Sequence, residues 1–293
     1  MTRVAILTPD PAEAAYPELW PKVLARLQRA LDTAGIDATP TAWTVHVDDA
    51  SGLRGYACVL PLLAWGYHHD AARWQRACAT WQREGLPLAN PAKVLAWNTD
   101  KRYLRELAER GVAIAPTTFV DALSQAAVEC AFADTGADEL IAKPAISGGA
   151  WKTRRLRRGD VVDAAEPMPM LLQPYLPTIE TLGETSLLYF GDHLSHAVNK
   201  RPVAGEFRIQ EEFGGQYTLV PTPPAAALAL ARQVLEAIGE PLLYARIDVL
   251  PDADGRWLLM EAELIEPDFY LGLDPAQGAG FAQALRERVG AGR

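Results

Sequence analysis

The chain has 293 residues, 49% of them hydrophobic and 22% charged, with 28 Lys+Arg against 37 Asp+Glu for a formal net charge of −9. This composition excludes a disordered chain, suits about two domains at roughly 150 residues each, and argues against a nucleic-acid partner, which requires a basic face. Three scattered cysteines, Cys58, Cys78 and Cys130, make neither a disulfide framework nor a zinc knuckle; the polar turn at Asp10 and the breaks at Pro221, Pro223 and Pro224 predict no signal peptide and no membrane span, hence a cytoplasmic protein.

An apolar run at 4–7 predicts a strand, and Val23, Leu24, Leu27 and Leu31 at helical spacing predict a helix over 19–31 that ends before Gly35. A second run at 56–63 and a Trp- and Arg-rich helix over 69–84, stopped by Gly85, complete a small α/β unit with a parallel sheet. A helix over 99–110 stops at Gly111, and a strand at 117–120 leads to a helix from about Ala122. Strands are predicted at 139–143, 170–173, 186–190 and 194–200, the last two joined by the hairpin signal Gly191-Asp192. Thr222, Pro223 and Pro224 open a helix with Leu228, Ala231, Leu235 and Ile238 on one face and Gly239 as its stop. Strands at 243–250 and 257–264, joined by Asp252-Ala253-Asp254-Gly255, close the pattern, which contains no internal repeat.

The last strand pair carries the strongest chemical signal. A period of two places Arg246 and Asp248 on one face, opposite Leu243, Ala245, Ile247 and Val249, while Glu261 and Glu263 share a face of the next strand. A tight hairpin brings three carboxylates and a guanidinium onto one surface. Like charges so close repel unless a cation sits between them, and hard oxygen ligands select Mg²⁺ or Mn²⁺. The competing reading is a solvated strand face. Upstream, Lys143 at a strand end precedes Ser147-Gly148-Gly149, whose backbone N–H groups and hydroxyl can meet phosphate oxygens, although such a turn alone is commonplace. Neither a G-x-x-x-x-G-K-[ST] nor a G-x-G-x-x-G pattern occurs, so a nucleotide would be held in another way. At Gln173-Pro174-Tyr175-Leu176 the proline cannot donate to a ladder. The Gln173 carbonyl and Leu176 N–H then offer the acceptor and donor that an adenine edge requires, and Glu184 can bridge ribose hydroxyls.

Taken in order, Asp100-Lys101, Lys143-Pro144 with its Ser-Gly-Gly loop, 173–176, Gly183-Glu184, Lys200, Arg246-x-Asp248 and Glu261-x-Glu263 resemble the ATP-grasp ligases, the superfamily of D-alanine:D-alanine ligase and glutathione synthetase. The resemblance spans about residues 90–271. It implies an α/β chain, α+β in its C-terminal part, with a Rossmann-like pre-ATP-grasp unit at 1–90 and an ATP-grasp domain at 91–293. The lid lobe would cover about 112–180 and the C-terminal lobe about 181–293. By the same resemblance Lys101 and Lys143, with Ser147, Gly148 and Gly149, hold phosphates, and Gln173, Tyr175 and Leu176 form the adenine hinge. Glu184 takes the ribose, Lys200 approaches the γ-phosphate, Arg246 stabilises the transferring group, and Asp248, Glu261 and Glu263 bind Mg²⁺. Glu263 stands where the family usually has Asn. Arg201, Arg208 and Gln210 lie in the loop expected to contact γ-phosphate and carboxylate.

The phrases at 97–104, 190–197, 200–202, 207–210 and 263–267 are similar to the branch that includes D-cycloserine-forming ligases. This implies activation of a carboxylate as an acyl phosphate and cyclisation of O-ureido-D-serine, with release of ADP and phosphate. The partners implied are ATP and a small amino-acid-like substrate, with a homo-oligomer left open. The alternatives are an intermolecular amide ligase and a non-catalytic nucleotide-binding protein; a Rossmann-type redox protein lacks its glycine fingerprint. His68 and His69 have no Cys or carboxylate at zinc spacing. Ser195-His196 lacks a nucleophile elbow, and Trp65, Trp74, Trp81 and Trp97 read as packing residues.

Overall fold

A computed structural model describes residues 2–13, 17–162 and 167–291. Strand β1 (Thr2–Thr8), helix α1 (Trp20–Thr33), strands β2 (Ile36–Ala42) and β3 (Cys58–Leu60) and helix α2 (Ala71–Arg83) form the first unit. Its sheet is parallel, in the order β2-β1-β3. The unbroken apolar run of β1 follows from burial on both faces: Val4 and Ile6 pack with Val23, Leu27 and Leu31 of α1, whereas Ala5 and Leu7 pack with Trp74 and Trp81 of α2. The strand expected at 56–63 is three residues long, and the helix expected from His69 begins as a 3-10 turn, Tyr67–Asp70, before the Asp70 side chain caps α2 by accepting from Arg73 N–H (3.0 Å). β2 is an edge strand containing Pro40, which explains why its periodicity is weak.

Helices α3 (Ala92–Asn98) and α4 (Tyr103–Glu109) are followed by β4 (Thr118–Val120), α5 (Gln125–Thr135), β5 (Glu139–Pro144), β6 (Arg154–Arg157) and β7 (Met170–Pro174). The four strands form an antiparallel sheet, β4-β7-β5-β6. α5 covers it through Val128, Ala131 and Phe132. The helix starts at Gln125 and not near Ala122, because the Ser124 hydroxyl accepts from Ala127 N–H (3.2 Å) and so sets the N-cap.

The last part contains α6 (Thr178–Thr181), β8 (Glu184–Phe190), β9 (His193–Arg201), β10 (Gln216–Leu219), α7 (Ala225–Ile238), β11 (Tyr244–Pro251), β12 (Trp257–Glu263) and α8 (Ala279–Ala291). Its sheet is antiparallel, β10-β9-β8-β11-β12. Phe190, Phe269 and Phe281 share one apolar cluster with Val4 and Leu31, so this sheet and the N-terminal one are welded through a common core. No helix among the described residues is long and apolar enough to cross a membrane.

Asn90, fully buried, ties the N-terminal unit to the last two strands. Its Nδ2 donates to the carbonyls of Tyr244 (3.0 Å) and Leu264 (2.8 Å), and its Oδ1 accepts from Leu243 N–H (2.8 Å). Asn90→Leu strands these backbone groups without partners, at roughly 1–3 kcal/mol each. Urea denaturation is expected to show a loss of at least about 2 kcal/mol; a loss within experimental error would mean that the backbone finds other partners.

Candidate active site

In the β11/β12 ladder Arg246 lies opposite Glu263 and Asp248 opposite Glu261, so the alternation read from the sequence places all four side chains on one face. Beyond Asp248 the register shifts, and Val249 faces Leu259. This bulge leaves Met260 as an extra residue, which re-aims it. Strict alternation would set Leu259 beside Glu261. Instead Leu259 is fully buried in the core, and Met260 lines the same cleft as Glu261.

β12 is an edge strand, and side chains cover its free edge. Ala262 N–H donates to the Tyr103 hydroxyl (2.8 Å), Asn98 Nδ2 donates to the Ala262 carbonyl (2.8 Å), and Leu264 N–H donates to Asn98 Oδ1 (2.9 Å). These bonds clamp the residue between Glu261 and Glu263 and thereby aim both carboxylates. The same contacts explain why the helix expected over 99–110 begins only at Tyr103. Between α3 and α4 the chain turns so that Lys101 N–H reaches the Ala145 carbonyl (2.7 Å), while its ammonium meets the Ser147 carbonyl (2.7 Å) and Glu261 (3.1 Å).

The charged groups form a continuous buried network. Asp248, 2% exposed, accepts from Ser186 Oγ (2.6 Å), Lys200 Nζ (3.1 Å) and Arg246 (3.0 Å). Arg246 also binds Glu263. Lys200, directly opposite Glu184 across β8 and β9, bonds to it at 2.7 Å, so Glu184 is occupied by an ion pair. Burial opposes ionisation of Asp248, but the charges of Arg246 and Lys200 outweigh it and hold the carboxyl below its ordinary range. At Glu261 burial is likewise outweighed by Lys101 and Lys143. At Glu263 burial wins: despite Arg246, and with Glu261 and Asp248 adding repulsion, its carboxyl is pushed up to about 8. Protein cations stand among Asp248, Glu261 and Glu263, and no group of three or more His, Cys, Asp or Glu among the described residues is gathered as a metal cluster.

Two adjoining clefts open on this network. The first lies between the four- and five-stranded sheets. Ile141, Ile179, Leu250 and Met260 give it apolar walls that suit a planar base, and Lys101, Lys143 and Ser147 line its polar part. Leu176 lines it with an N–H that has no partner among the described residues. Gln173 and Tyr175 also line it; the Gln173 amide donates to Thr117 Oγ1 (2.8 Å), and the Tyr175 hydroxyl binds Glu180 under the Arg155 guanidinium, 3.7 Å from the ring centre. The second cleft is walled by Trp65, Tyr67 and His68 of the N-terminal unit and by Glu266, Asp268 and Tyr270 after β12. Both clefts share Ser147, Gly148, Lys200, Arg246, Glu261 and Glu263. Gly149 also faces both.

The 202–215 loop roofs the site and folds tightly on itself at Gly215, where a Cβ would sit 1.9 Å from the Ile209 carbonyl oxygen. From it Arg208 lines the first cleft, held by Glu206 (2.6 Å) and stacked on Phe213 (3.7 Å). Arg201 is exposed, bonds to Asn199 (3.1 Å) and lines neither cleft, so the structure does not bring it to the other site residues. His68 and His69 pack against Trp151. His196 is buried between Ser195 and the Phe269 carbonyl, a structural arrangement. Trp74 and Trp81 are core residues and Trp65 and Trp97 pack against core clusters, as expected; Trp65 also walls the second cleft.

Lys143 has no hydrogen bond or ion pair among the described residues, and burial lowers the pKa of its ammonium against the pull of Glu261. Lys143→Ala is expected to weaken ATP binding about tenfold or more, by loss of a charge-assisted contact, with an unchanged circular dichroism spectrum. Lost folding with unchanged affinity would make the lysine structural.

No family profile matches the chain. It is 32% identical over 286 residues to the cycloserine biosynthesis protein DcsG of Streptomyces lavendulae, covering 90% of this chain and 92% of that protein. The chain belongs to the ATP-grasp ligases. This ATP-grasp ligase is also 27% identical to a glutathione synthetase of Prochlorococcus marinus (strain MIT 9313), over 95% of its own length and 90% of the relative's. Its fold matches the crystal structure of the D-cycloserine synthetase DcsG with a TM-score of 0.83 at 27% identity, over 98% of this chain and 99% of that one. At the level of fold alone it matches D-alanine–D-alanine ligase from Bacillus anthracis, with a TM-score of 0.72 at 13% identity, over 99% and 98% of the two chains. The α/β and α+β fold expected from the sequence, and an enzyme that uses ATP for ligation, are thus established.

Proposed function

We propose that this ATP-grasp ligase converts O-ureido-D-serine to D-cycloserine, with ADP and phosphate as the nucleotide products. The observation that carries the phosphoryl-transfer step is the wall shared by the two clefts. Lys200, Arg246, Glu261 and Glu263 face both, so the terminal phosphate of a nucleotide in one cleft and the carboxylate of a substrate in the other meet at the same charged surface. The relation to a cycloserine biosynthesis protein supports ring closure in preference to intermolecular ligation.

In this reading Lys101, Lys143 and the 147–149 loop hold the phosphates, and the 173–176 segment meets the adenine edge. Glu184 keeps Lys200 in place and remains near enough, at the cleft surface, for the ribose. Arg246, Lys200 and Arg208 neutralise the transferring phosphoryl group and the carboxylate it joins, which is where preorganised charge lowers the barrier most. Asp248, Glu261 and Glu263 fit a hard divalent cation. They are oxygen donors on facing strands, and burial together with repulsion from Glu261 and Asp248 keeps the Glu263 carboxyl high despite its pair with Arg246. Mg²⁺ bound there would screen phosphate charge. The nitrogen next to oxygen in the ureido group attacks the acyl carbonyl, phosphate leaves, and water removes the carbamoyl group as CO₂ and ammonia. Holding nucleophile and carbonyl in one molecule substitutes proximity for a second substrate. Three free cysteines suit a reducing, cytoplasmic setting.

Purified protein with Mg²⁺, ATP and O-ureido-D-serine is expected to yield equal amounts of ADP, phosphate and D-cycloserine, read by coupled assay and mass spectrometry. AMP and pyrophosphate would contradict acyl-phosphate formation. Coupling of two amino acids, with O-ureido-D-serine untouched, would make the protein an intermolecular amide ligase.

A further inference from the structure

Phosphoryl transfer makes no use of three groups in the second cleft: the carboxylates of Glu266 and Asp268 and the imidazole of His68. Glu261 and Glu263 are balanced by Lys101 and Arg246, whereas among the described residues neither Glu266 nor Asp268 forms an ion pair. Burial pushes the Glu266 carboxyl up to about 7 and raises that of Asp268, outweighing a backbone hydrogen bond and the nearby cationic charges that pull each down.

The segment that carries them is anchored at both ends. Trp65 Nε1 donates to the Glu266 carbonyl (3.2 Å), and Tyr270 N–H donates to Asp268 Oδ1 (2.8 Å). Tyr270 has φ 49°, a left-handed conformation that is costly for an aromatic residue. That backbone sets its ring 5.3 Å from the Arg246 guanidinium and edge-on to Tyr217, at 5.2 Å.

A separate observation points to a polar ligand. His68 is 7% exposed, lines the cleft and has Nδ1 buried without a partner, turned toward Gly148, where a Cβ would lie 3.0 Å away. Burial, then His69 and Lys101, hold its imidazole down at about 4, so it is neutral at neutral pH. Gln210 Oε1, an acceptor on the roof of the same cleft, is also buried and unpaired. Two such atoms facing one cavity are unusual, because buried polar atoms nearly always have partners.

We infer that Glu266 and Asp268 form the ammonium subsite of the second cleft, taking the α-ammonium of an amino-acid substrate whose carboxylate meets Arg246 and Lys200. The inference rests on the reading of this cleft as the carboxylate-substrate site. A cleft with carboxyl groups outside any ion pair on one wall and cations on another complements a zwitterion, and Trp65, Tyr67 and Tyr270 add aromatic faces that favour an ammonium. His68 Nδ1 and Gln210 Oε1 supply hydrogen bonds to the remaining polar atoms.

The test compares O-ureido-D-serine with its deamino analogue, 3-(ureidooxy)propanoate, which keeps the carboxylate and the nucleophile. The wild-type enzyme is expected to prefer the amino compound by about a hundredfold in kcat/KM. Glu266→Gln and Asp268→Asn should each lower kcat/KM for it about tenfold, mainly through KM, and leave the deamino analogue and the KM for ATP nearly unchanged. Comparable rates for both compounds in the wild type, or equal losses for both in the variants, would overturn the assignment while leaving ring closure intact. If O-ureido-D-serine is not turned over, the proposed substrate falls, and calorimetric titration of D-alanine against propionate in the presence of ATP still decides the subsite. D-alanine binding that disappears in Glu266→Gln supports it, and equal binding of propionate refutes it.

Discussion

Asp248→Asn and Glu261→Gln are each expected to lower kcat at least about a hundredfold, on the order of 2.7 kcal/mol of transition-state stabilisation. Asp248 sits at the centre of the network, with Ser186, Lys200 and Arg246 all donating to it. Amidation removes the negative charge that orients two cations and one of the oxygen donors proposed for Mg²⁺. Glu261 orients Lys101, which is itself fixed to the Ser147 carbonyl of the glycine loop, so its neutralisation disturbs the phosphate and metal contacts together. Activity should also disappear in EDTA and return with Mg²⁺. Rates near wild type in both variants, or full activity in EDTA, would show that this face serves structure alone. Thermal unfolding of the same samples separates lost chemistry from lost fold.

Arg246→Met is expected to cost both stability and activity. Arg246 is 6% exposed, and its guanidinium is shared between Asp248 and Glu263 and lies over the Tyr270 ring. Removing it leaves the buried Asp248 and the partly buried Glu263 without their common counter-charge, a loss of about 3–5 kcal/mol when one partner of a buried pair is deleted. It also removes one of the two cationic donors, with Lys200, that face both clefts, for a further hundredfold or so in kcat, comparable to losing one oxyanion-type donor. Arg246→Lys retains the charge but not the planar fork that bridges two carboxylates. It should recover most of the urea midpoint and little of the rate. Equal recovery of both would mean that charge alone suffices at this position.

The contrast between Arg246 and Met260 shows how far local pattern reaches. Arg246, Asp248, Glu261 and Glu263 were legible because a strand alternates sides every residue and a short turn leaves little freedom in how two strands pair. Met260 was not, because the bulge beside it is a property of the pairing, and it moved one apolar side chain from the core face to the cleft. The unpredicted strands β2, β6 and β10 lie at sheet edges, and β6 is three-quarters arginine. A strand with one neighbour needs less apolar surface, so it leaves a weaker trace in sequence.

Sequence alone determined the order of the elements that carry the site, the strand faces of its charged residues, the glycine loop after Lys143 and the kinship with the ATP-grasp ligases. All of these depend on neighbours within a few residues or on the linear order of short phrases. Tertiary structure decided which charges meet. Lys200 pairs with Glu184 and Asp248, Asn98 and Tyr103 clamp Ala262 across more than 150 residues, and Trp65 reaches Glu266 across 201. Such contacts form only when separate sheets and helices close on a common core, and the energy of a buried charge depends on what surrounds it. Local spacing therefore names the residues able to carry charge, and packing selects which are neutralised within the protein and which are left for a ligand.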